Sequence, residues 1–305
     1  MPSSNPASVD SHGLPQPAAV LQLLKPVTWF PPMWAFLCGV VSAGQPFSGQ
    51  LLIIFLGVLL TGPLVCATSQ AVNDWYDREV DAINEPDRPI PSGRVPGRWG
   101  LWIGIIWTIL SLLVAAILGP VVFGAAVVGL ILAWLYSAPP VRLKLNGWYG
   151  NAAVGLCYEG LPWITGAAVV AMGAMPDSRV LLLALLYSIG AHGIMTLNDF
   201  KAIEGDTRLG VRTLPVQLGA ERAARLACYV MVAAQCVVLA LLIAWSLTWF
   251  ALVVACFIIA QIVLMKRLLT DPRRLAPWYN ATGISLYVLG MLVSAFGLRY
   301  LEISA

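Results

Sequence analysis

Charge is the scarcest commodity in this 305-residue chain: Asp, Glu, Lys and Arg together make up 11% of it, where a soluble domain carries roughly a quarter. Hydrophobic residues make up 59% and the mean hydropathy is +0.80. Those values exclude a soluble domain with an unusually large core and imply an all-α polytopic membrane protein. Histidine is nearly absent, with only His12 and His192, so no His-Glu-x-x-His metalloprotease helix exists. Cys38, Cys66, Cys157, Cys228, Cys236 and Cys256 stand singly in apolar stretches; without a CxxC pair they read as packing residues rather than zinc or redox sites. Neither a Gly-x-Ser-x-Gly elbow nor a Gly-rich loop ending in Gly-Lys-Ser/Thr is present, which removes the serine hydrolases and the P-loop NTPases. The first 20 or so residues are polar and Pro/Ser-rich. They lack the basic start and apolar run of a cleavable signal, and a disordered tail is expected over 1–24, ahead of a single membrane domain over 25–305.

A membrane-crossing helix needs about 20 mostly apolar residues. Nine stretches qualify, over 27–44, 51–72, 100–118, 121–138, 151–172, 180–198, 227–245, 247–265 and 279–298. Gly119-Pro120 and Ser246 mark tight hairpins, and Pro31-Pro32, Pro63 and Pro162 predict kinks or local widening. Sixteen of the eighteen Lys and Arg residues fall on one side of this arrangement, leaving Arg179 and Arg299 on the other. The positive-inside rule makes the richer side cytoplasmic, together with the N-terminus.

What acidic residues there are gather in two places. Of fifteen, nine lie within 74–87 and 199–206. The first segment reads Asn73-Asp74-Trp75-Tyr76-Asp77-Arg78-Glu79-Val80-Asp81, and the second Asn198-Asp199-Phe200-Lys201-Ala202-Ile203-Glu204-Gly205-Asp206. Each opens on Asn-Asp, repeats Asp seven residues later, and leads to an Arg 14 or 13 residues after its first Asp, Arg88 and Arg212 respectively. Four spans separate them, so the repeat points to two halves that present matching motifs to a central cavity. On a helix, the i, i+3 and i+7 spacing of Asp74, Asp77 and Asp81 puts three carboxylates on one face. Asp199 and Asp206 also share a face; Glu204 joins them only if Gly205 breaks the helix. Grouped carboxylates repel unless a cation lies between them, and hard oxygen ligands at this density suit Mg²⁺ bridging to phosphate. Arg88, Arg142, Lys144, Lys201 and Arg212, on the same side of the membrane, can neutralise a diphosphate, with Arg gripping bidentately and Lys acting as a point charge.

His192 and Glu159 lie inside spans, where an ionisable group is a functional candidate. They are also the only intramembrane charges available to a transporter of a phosphorylated solute, the competing reading of the acidic loops. His192 reads either as a packing histidine or as a ligand for a metal in a porphyrin-like substrate.

Asn73-Asp74-x-x-Asp77-x-x-x-Asp81 resembles the first Asp-rich motif of the UbiA superfamily of intramembrane prenyltransferases, and the segment 198–206 its second. The resemblance covers the chain after the tail and implies a nine-transmembrane-helix bundle around a central cavity. It also implies Mg²⁺ as cofactor, with Asp74, Asp77, Asp81, Asp199 and Asp206 as ligands. Asn73, Arg88, Arg142, Lys144, Asn198, Lys201 and Arg212 would lie at the diphosphate. The superfamily's second motif usually carries a further Asp where this chain has Ala202, so Glu204 is a substitute ligand. The runs 81–93 and 198–206, and Tyr136-Ser137-Ala138-Pro139-Pro140-x-Arg142-x-Lys144, look like the chlorophyll and bacteriochlorophyll synthase branch. Asp87 and the run from Arg94 to Trp99 are closer to the bacteriochlorophyll form. That branch implies transfer of a geranylgeranyl or phytyl group from its diphosphate to the propionate of (bacterio)chlorophyllide. A bacterial inner or photosynthetic intracytoplasmic membrane is the implied location. Partners would be the lipid bilayer and pigment-biosynthesis or photosystem-assembly proteins, with no nucleic acid. A quinone-precursor ring or haem is the alternative acceptor.

Overall fold

The computed structural model describes residues 13–304 of the chain. Ten helices carry the architecture: α1 Pro17–Leu24, α2 Phe30–Ser42, α3 Leu51–Asn84, α4 Trp99–Leu118, α5 Pro120–Ser137, α6 Gly147–Val170, α7 Ser178–Leu209, α8 Ala220–Ala244, α9 Thr248–Leu268 and α10 Pro272–Ile303. Among the described residues, the eight from α3 to α10 are long and apolar enough to cross a membrane, whereas α2 has 13 residues and is shorter. The expected hairpins form where Gly119 separates α4 from α5 and where residues 245–247 separate α8 from α9.

The N-terminal segment differs from expectation. Residues 1–12 lie outside the described residues, but Pro17–Leu24 is a helix, with Ala19, Leu23 and Leu24 buried in a cluster with Ala67 and Ala71 of α3 and Ile103 of α4. Three apolar side chains on one face suffice to dock this short amphipathic turn. Lys25, which follows it, is thereby placed at the end of the bundle.

The prolines act as their positions dictate. Pro31 and Pro32 fall in the first turn of α2, where the missing N–H has no intrahelical partner to lose. Pro63 lies inside α3, and the helix widens around it to a π-helical turn over Leu60–Cys66. The indole of Trp107 on α4 donates to the Pro63 carbonyl at 3.0 Å, satisfying a backbone group that lipid cannot. A second π-helical turn, Leu156–Gly160, directly precedes Pro162 in α6. The two widened turns meet: the Cys66 thiol lies 3.8 Å from the Tyr158 hydroxyl.

Close packing fixes α2 against α6. A Cβ on Gly39 would stand 2.0 Å from the Trp163 carbonyl oxygen, and one on Gly166 would stand 2.0 Å from that of Phe36. Two glycines facing each other's backbone allow the contact that van der Waals packing needs in lipid. Trp163 then stacks on Tyr187 of α7 at 5.5 Å, the Tyr187 hydroxyl pairs with Ser294 of α10 at 2.8 Å, and the Tyr287 hydroxyl donates to the Tyr187 carbonyl at 2.8 Å. This buried aromatic knot ties α6, α7 and α10 together, and the Trp163 indole joins it to α2 by donating to Ser42 at 3.0 Å.

Candidate active site between two acidic motifs

α3 runs unbroken from Leu51 to Asn84, carrying the first motif beyond its apolar stretch. Asp74, Asp77 and Asp81 share one face, as their spacing predicts. Each is met by basic groups from elsewhere in the chain. Asp74 is 2% exposed; its Oδ1 accepts from Lys25 Nζ at 2.6 Å and from Arg88 Nη1 at 3.5 Å. Asp81 accepts from the same Arg88 nitrogen at 2.9 Å, and the rest of that guanidinium is held by Glu85. Asp77 is bound by Lys144 Nζ at 2.5 Å and by Arg142 Nη2 at 3.4 Å. Burial lowers the Lys144 ammonium from its ordinary value, against the opposing pull of Asp77.

The second motif is built differently. The end of α7 tightens over Asp199–Ala202 and resumes as an α-helical stretch over Ile203–Leu209. Asp199 accepts from the Asn151 amide of α6 at 3.4 Å, and Asn151 also donates to Thr196 at 3.2 Å. Asp206 accepts from Thr213 at 3.1 Å. Lys201 and Glu204 are exposed. The change of helical pitch at Asp199 removes the simple shared face that seven-residue spacing predicts.

The motifs are nevertheless close to one another. Near the end of α5, the Tyr136 phenol lines a cavity with Asn73 of the first motif and feels the charges of Asp77, Asp199 and Asp206. The loops behind them are stitched together: Arg212 N donates to the Leu145 carbonyl at 2.9 Å, and Gly147 N donates to the Arg212 carbonyl at 2.8 Å. The fit leaves no room at Gly147, where a Cβ would stand 2.5 Å from Leu214 N. This backbone pairing sets Lys144 and Arg142 beside the segment after the second motif; the Arg212 side chain itself is exposed.

Two cavities adjoin the motifs, one at the first and one at the second. One, of about 210 Å³, is lined by Ser69, Gln70, Asn73, Tyr136, Cys157 and Tyr158 among others. Asn73 also donates to Ser137 at 3.1 Å. The other, of about 720 Å³, lies between α2, α6, α7 and α10 and includes Trp34, Glu159, Asn198, Lys201 and Asn280 in its wall. Val154, Tyr158 and Met195 border both. His192 borders neither; its ring faces Trp148 at 5.8 Å. Sequence reasoning missed Lys25, whose charge reads as topology alone, and Asn151, a single amide in an apolar run.

Among the described residues, no three carboxylate, His or Cys side chains converge on a ready-made metal cage. Mg²⁺ does not require one, since it takes one or two carboxylates together with water and phosphate oxygens. Asp74 Oδ2 is buried without a hydrogen-bond partner among the described residues, an acceptor that a hard cation would satisfy. The donor set therefore fits a divalent ion shared with a phosphate.

A family model described as "UbiA prenyltransferase family" matches residues 29–296. The bacteriochlorophyll synthase 33 kDa chain of Cereibacter sphaeroides is 56% identical over 97% of this chain and 98% of its own length. The chloroplastic chlorophyll synthase of Arabidopsis thaliana is 40% identical over 92% of this chain and 74% of its own. Among solved structures, a UbiA homolog from Archaeoglobus fulgidus bound to GPP and Mg²⁺ superposes with a TM-score of 0.68 at 22% identity, covering 88% of this chain and 99% of that one.

Proposed function

The chain belongs to the UbiA prenyltransferase family, and on that premise we propose how its two acidic motifs act in the reaction. It transfers a prenyl group to form (bacterio)chlorophyll. A propionate oxygen of the macrocycle bonds to C1 of the prenyl group, the C1–O bond to diphosphate breaks, and diphosphate departs with the electron pair. The observation that best supports the motifs as the place of transfer is the stitching of their loops: Lys144 and Arg142, which hold Asp77 of the first motif, lie beside the backbone of Arg212 that follows the second, next to a cavity lined by Asn73 and Tyr136.

Asp74, Asp77 and Asp81 on α3, with Asp199, Asp206 and Glu204 on α7, would hold Mg²⁺, whose charge when bound neutralises the diphosphate as it leaves. Arg88, Arg142, Lys144 and Arg212 bind diphosphate oxygens, and Asn73 and Asn198 donate hydrogen bonds at the cavity walls. A carboxylic acid with a reference pKa of roughly 4 is ionised at neutral pH, so the propionate needs positioning rather than a general base. The apolar wall of the smaller cavity shields the cation-like C1 from water and receives the isoprenoid tail.

The donor is a geranylgeranyl or phytyl diphosphate. Bacteriochlorophyllide is favoured over chlorophyllide by 56% identity to the Cereibacter chain against 40% to the plant enzyme. The protein sits in a bacterial inner membrane, with α2 as a ninth, shorter span and both motifs at the cytoplasmic face, where sixteen of its eighteen Lys and Arg residues lie. The test is an acceptor panel: purified protein with Mg²⁺ and labelled prenyl diphosphate is offered bacteriochlorophyllide, chlorophyllide, haem and hydroxybenzoate. Esterified bacteriochlorophyllide by product mass is expected; label on haem or the benzoate ring instead would refute the reading.

A further inference from the structure

The two cavities differ in a way that assigns their occupants. The smaller, at about 210 Å³, falls below the 300–1,000 Å³ usual for a compact ligand and suits a linear chain threaded between helices. The larger, at about 720 Å³, lies within that range and has two polar poles. At its mouth are Asn198 and Lys201. Lys201 stands two residues from Asp199 and acts on it electrostatically, but among the described residues no ion pair holds it, unlike Lys25, Arg88, Arg142 and Lys144. At the far end is Glu159, 6% exposed. Gly155 and Gly160, which flank it, pack against Ala191 and Ser188 of α7. Ala191 to Lys201 is ten residues, about 15 Å of helix, so the poles are a ligand's length apart. Glu159 Oε2 and Asn280 Oδ1 are buried without hydrogen-bond partners among the described residues, and both residues line this cavity. A buried polar atom left unpaired costs about 1–3 kcal/mol, so these two are built to meet something polar.

We propose that the larger cavity is the macrocycle site, that Lys201 pairs with the acceptor's propionate and so presents it at the second motif, that Glu159 bonds a polar group at the macrocycle's opposite edge, and that Asn280 bonds one along the α10 wall. This assigns Lys201, expected at the diphosphate, to the acceptor instead. It rests on the reading of the chain as an enzyme that esterifies (bacterio)chlorophyllide. The charge logic is specific: the acceptor brings one carboxylate, and the cavity mouth offers one Lys or Arg, which has no ion-pair partner among the described residues.

The experiment separates binding from turnover. Wild-type protein in lipid nanodiscs is titrated with bacteriochlorophyllide and with its propionate methyl ester, without prenyl diphosphate, by pigment fluorescence. Wild type is expected to bind the free acid about five- to tenfold more tightly than the ester, between the worth of an exposed ion pair and that of a charge-assisted hydrogen bond. Lys201→Gln removes that preference, leaves ester affinity in place, and leaves the half-saturating prenyl diphosphate concentration unchanged. Ser285→Trp, at an exposed position of α10 lining the cavity, weakens acid and ester alike, as does Glu159→Leu. The proposal is overturned if Lys201→Gln keeps the acid preference, or if Ser285→Trp raises the prenyl diphosphate requirement while pigment binding is intact. Failure of the wild type to esterify any pigment would refute the enzymatic reading itself, a different result from a Lys201→Gln variant that keeps its preference in an active enzyme.

Discussion

Asp74→Asn is the most informative single change. The amide has the shape of the carboxylate, so any loss is of charge and not of volume. Asp74 is 2% exposed and accepts from Lys25 and Arg88 through Oδ1, with Oδ2 unpartnered. Breaking a fully buried ion pair costs about 3–5 kcal/mol, but both cations have side chains 26% exposed and Arg88 keeps Asp81 and Glu85. Solvent and the remaining partners reduce the expected cost to folding to ~1–2 kcal/mol. The catalytic cost is larger. Removing one group that stabilises transition-state charge typically costs about a hundred- to a thousandfold in rate, and that is the fall expected here at saturating Mg²⁺. The assay pairs thermal unfolding in detergent, which should show a folded protein, with ester formation per folded molecule. Turnover within threefold of wild type would refute the ligand role; a loss of turnover matched by the loss of folded protein would make Asp74 structural.

Arg88→Ala should raise the half-saturating prenyl diphosphate concentration by at least tenfold, since its guanidinium spans Asp74, Asp81 and Glu85; an unchanged saturation curve would remove it from the site. Arg212→Ala should have a smaller effect than Arg88→Ala in the same titration, because it is the Arg212 backbone that makes the contacts. Gly147→Ala drives a Cβ toward Leu214 N and should cost about 1–3 kcal/mol by overpacking, with a lower melting temperature and lower kcat/KM; a wild-type melting curve would contradict the tight stitching of the two loops. Chelation with EDTA should stop ester formation and added Mg²⁺ restore it, and full activity in EDTA would exclude the divalent ion.

How much of this was legible beforehand depends on the range of each interaction. The face shared by Asp74, Asp77 and Asp81 follows from local helical geometry, and α3 continues far enough to realise it. The hairpins at Gly119 and Ser246 and the disturbances at Pro63 and Pro162 are equally local. In the sequence Lys25 is only one of the sixteen cationic residues on the same side, because its partner is 49 residues away, and the short helix that delivers it is too brief to announce itself by periodicity. The repeat suggested equal motifs, but the tightened turn at Asp199–Ala202 breaks the register that seven-residue spacing assumes. His192, singled out because it is ionisable, faces Trp148 outside both cavities; spacing along α7 does not say which neighbour a side chain meets.

That broken symmetry bears on how the site divides its labour. The first motif is met by four basic residues, Lys25, Arg88, Arg142 and Lys144, an assembly whose cations are already gathered where a diphosphate's negative charge would arrive. The second is held by the neutral groups of Asn151 and Thr213 and adjoins the cavity mouth at Lys201. A reaction that joins an anionic leaving group to a carboxylate nucleophile must keep the two anions from competing for one set of cations. Gathering four ion-paired cations at the first motif, and leaving Lys201 as the one Lys or Arg that lines the larger cavity, does this by placement: diphosphate is drawn to the denser field, and the propionate to Lys201. Adding a second cation beside Lys201, as in Ala202→Arg, should therefore produce diphosphate inhibition of pigment binding that the wild type lacks, measured in the same fluorescence titration with added diphosphate. Pigment binding indifferent to diphosphate in that variant would mean that the two anions are separated by walls and not by charge.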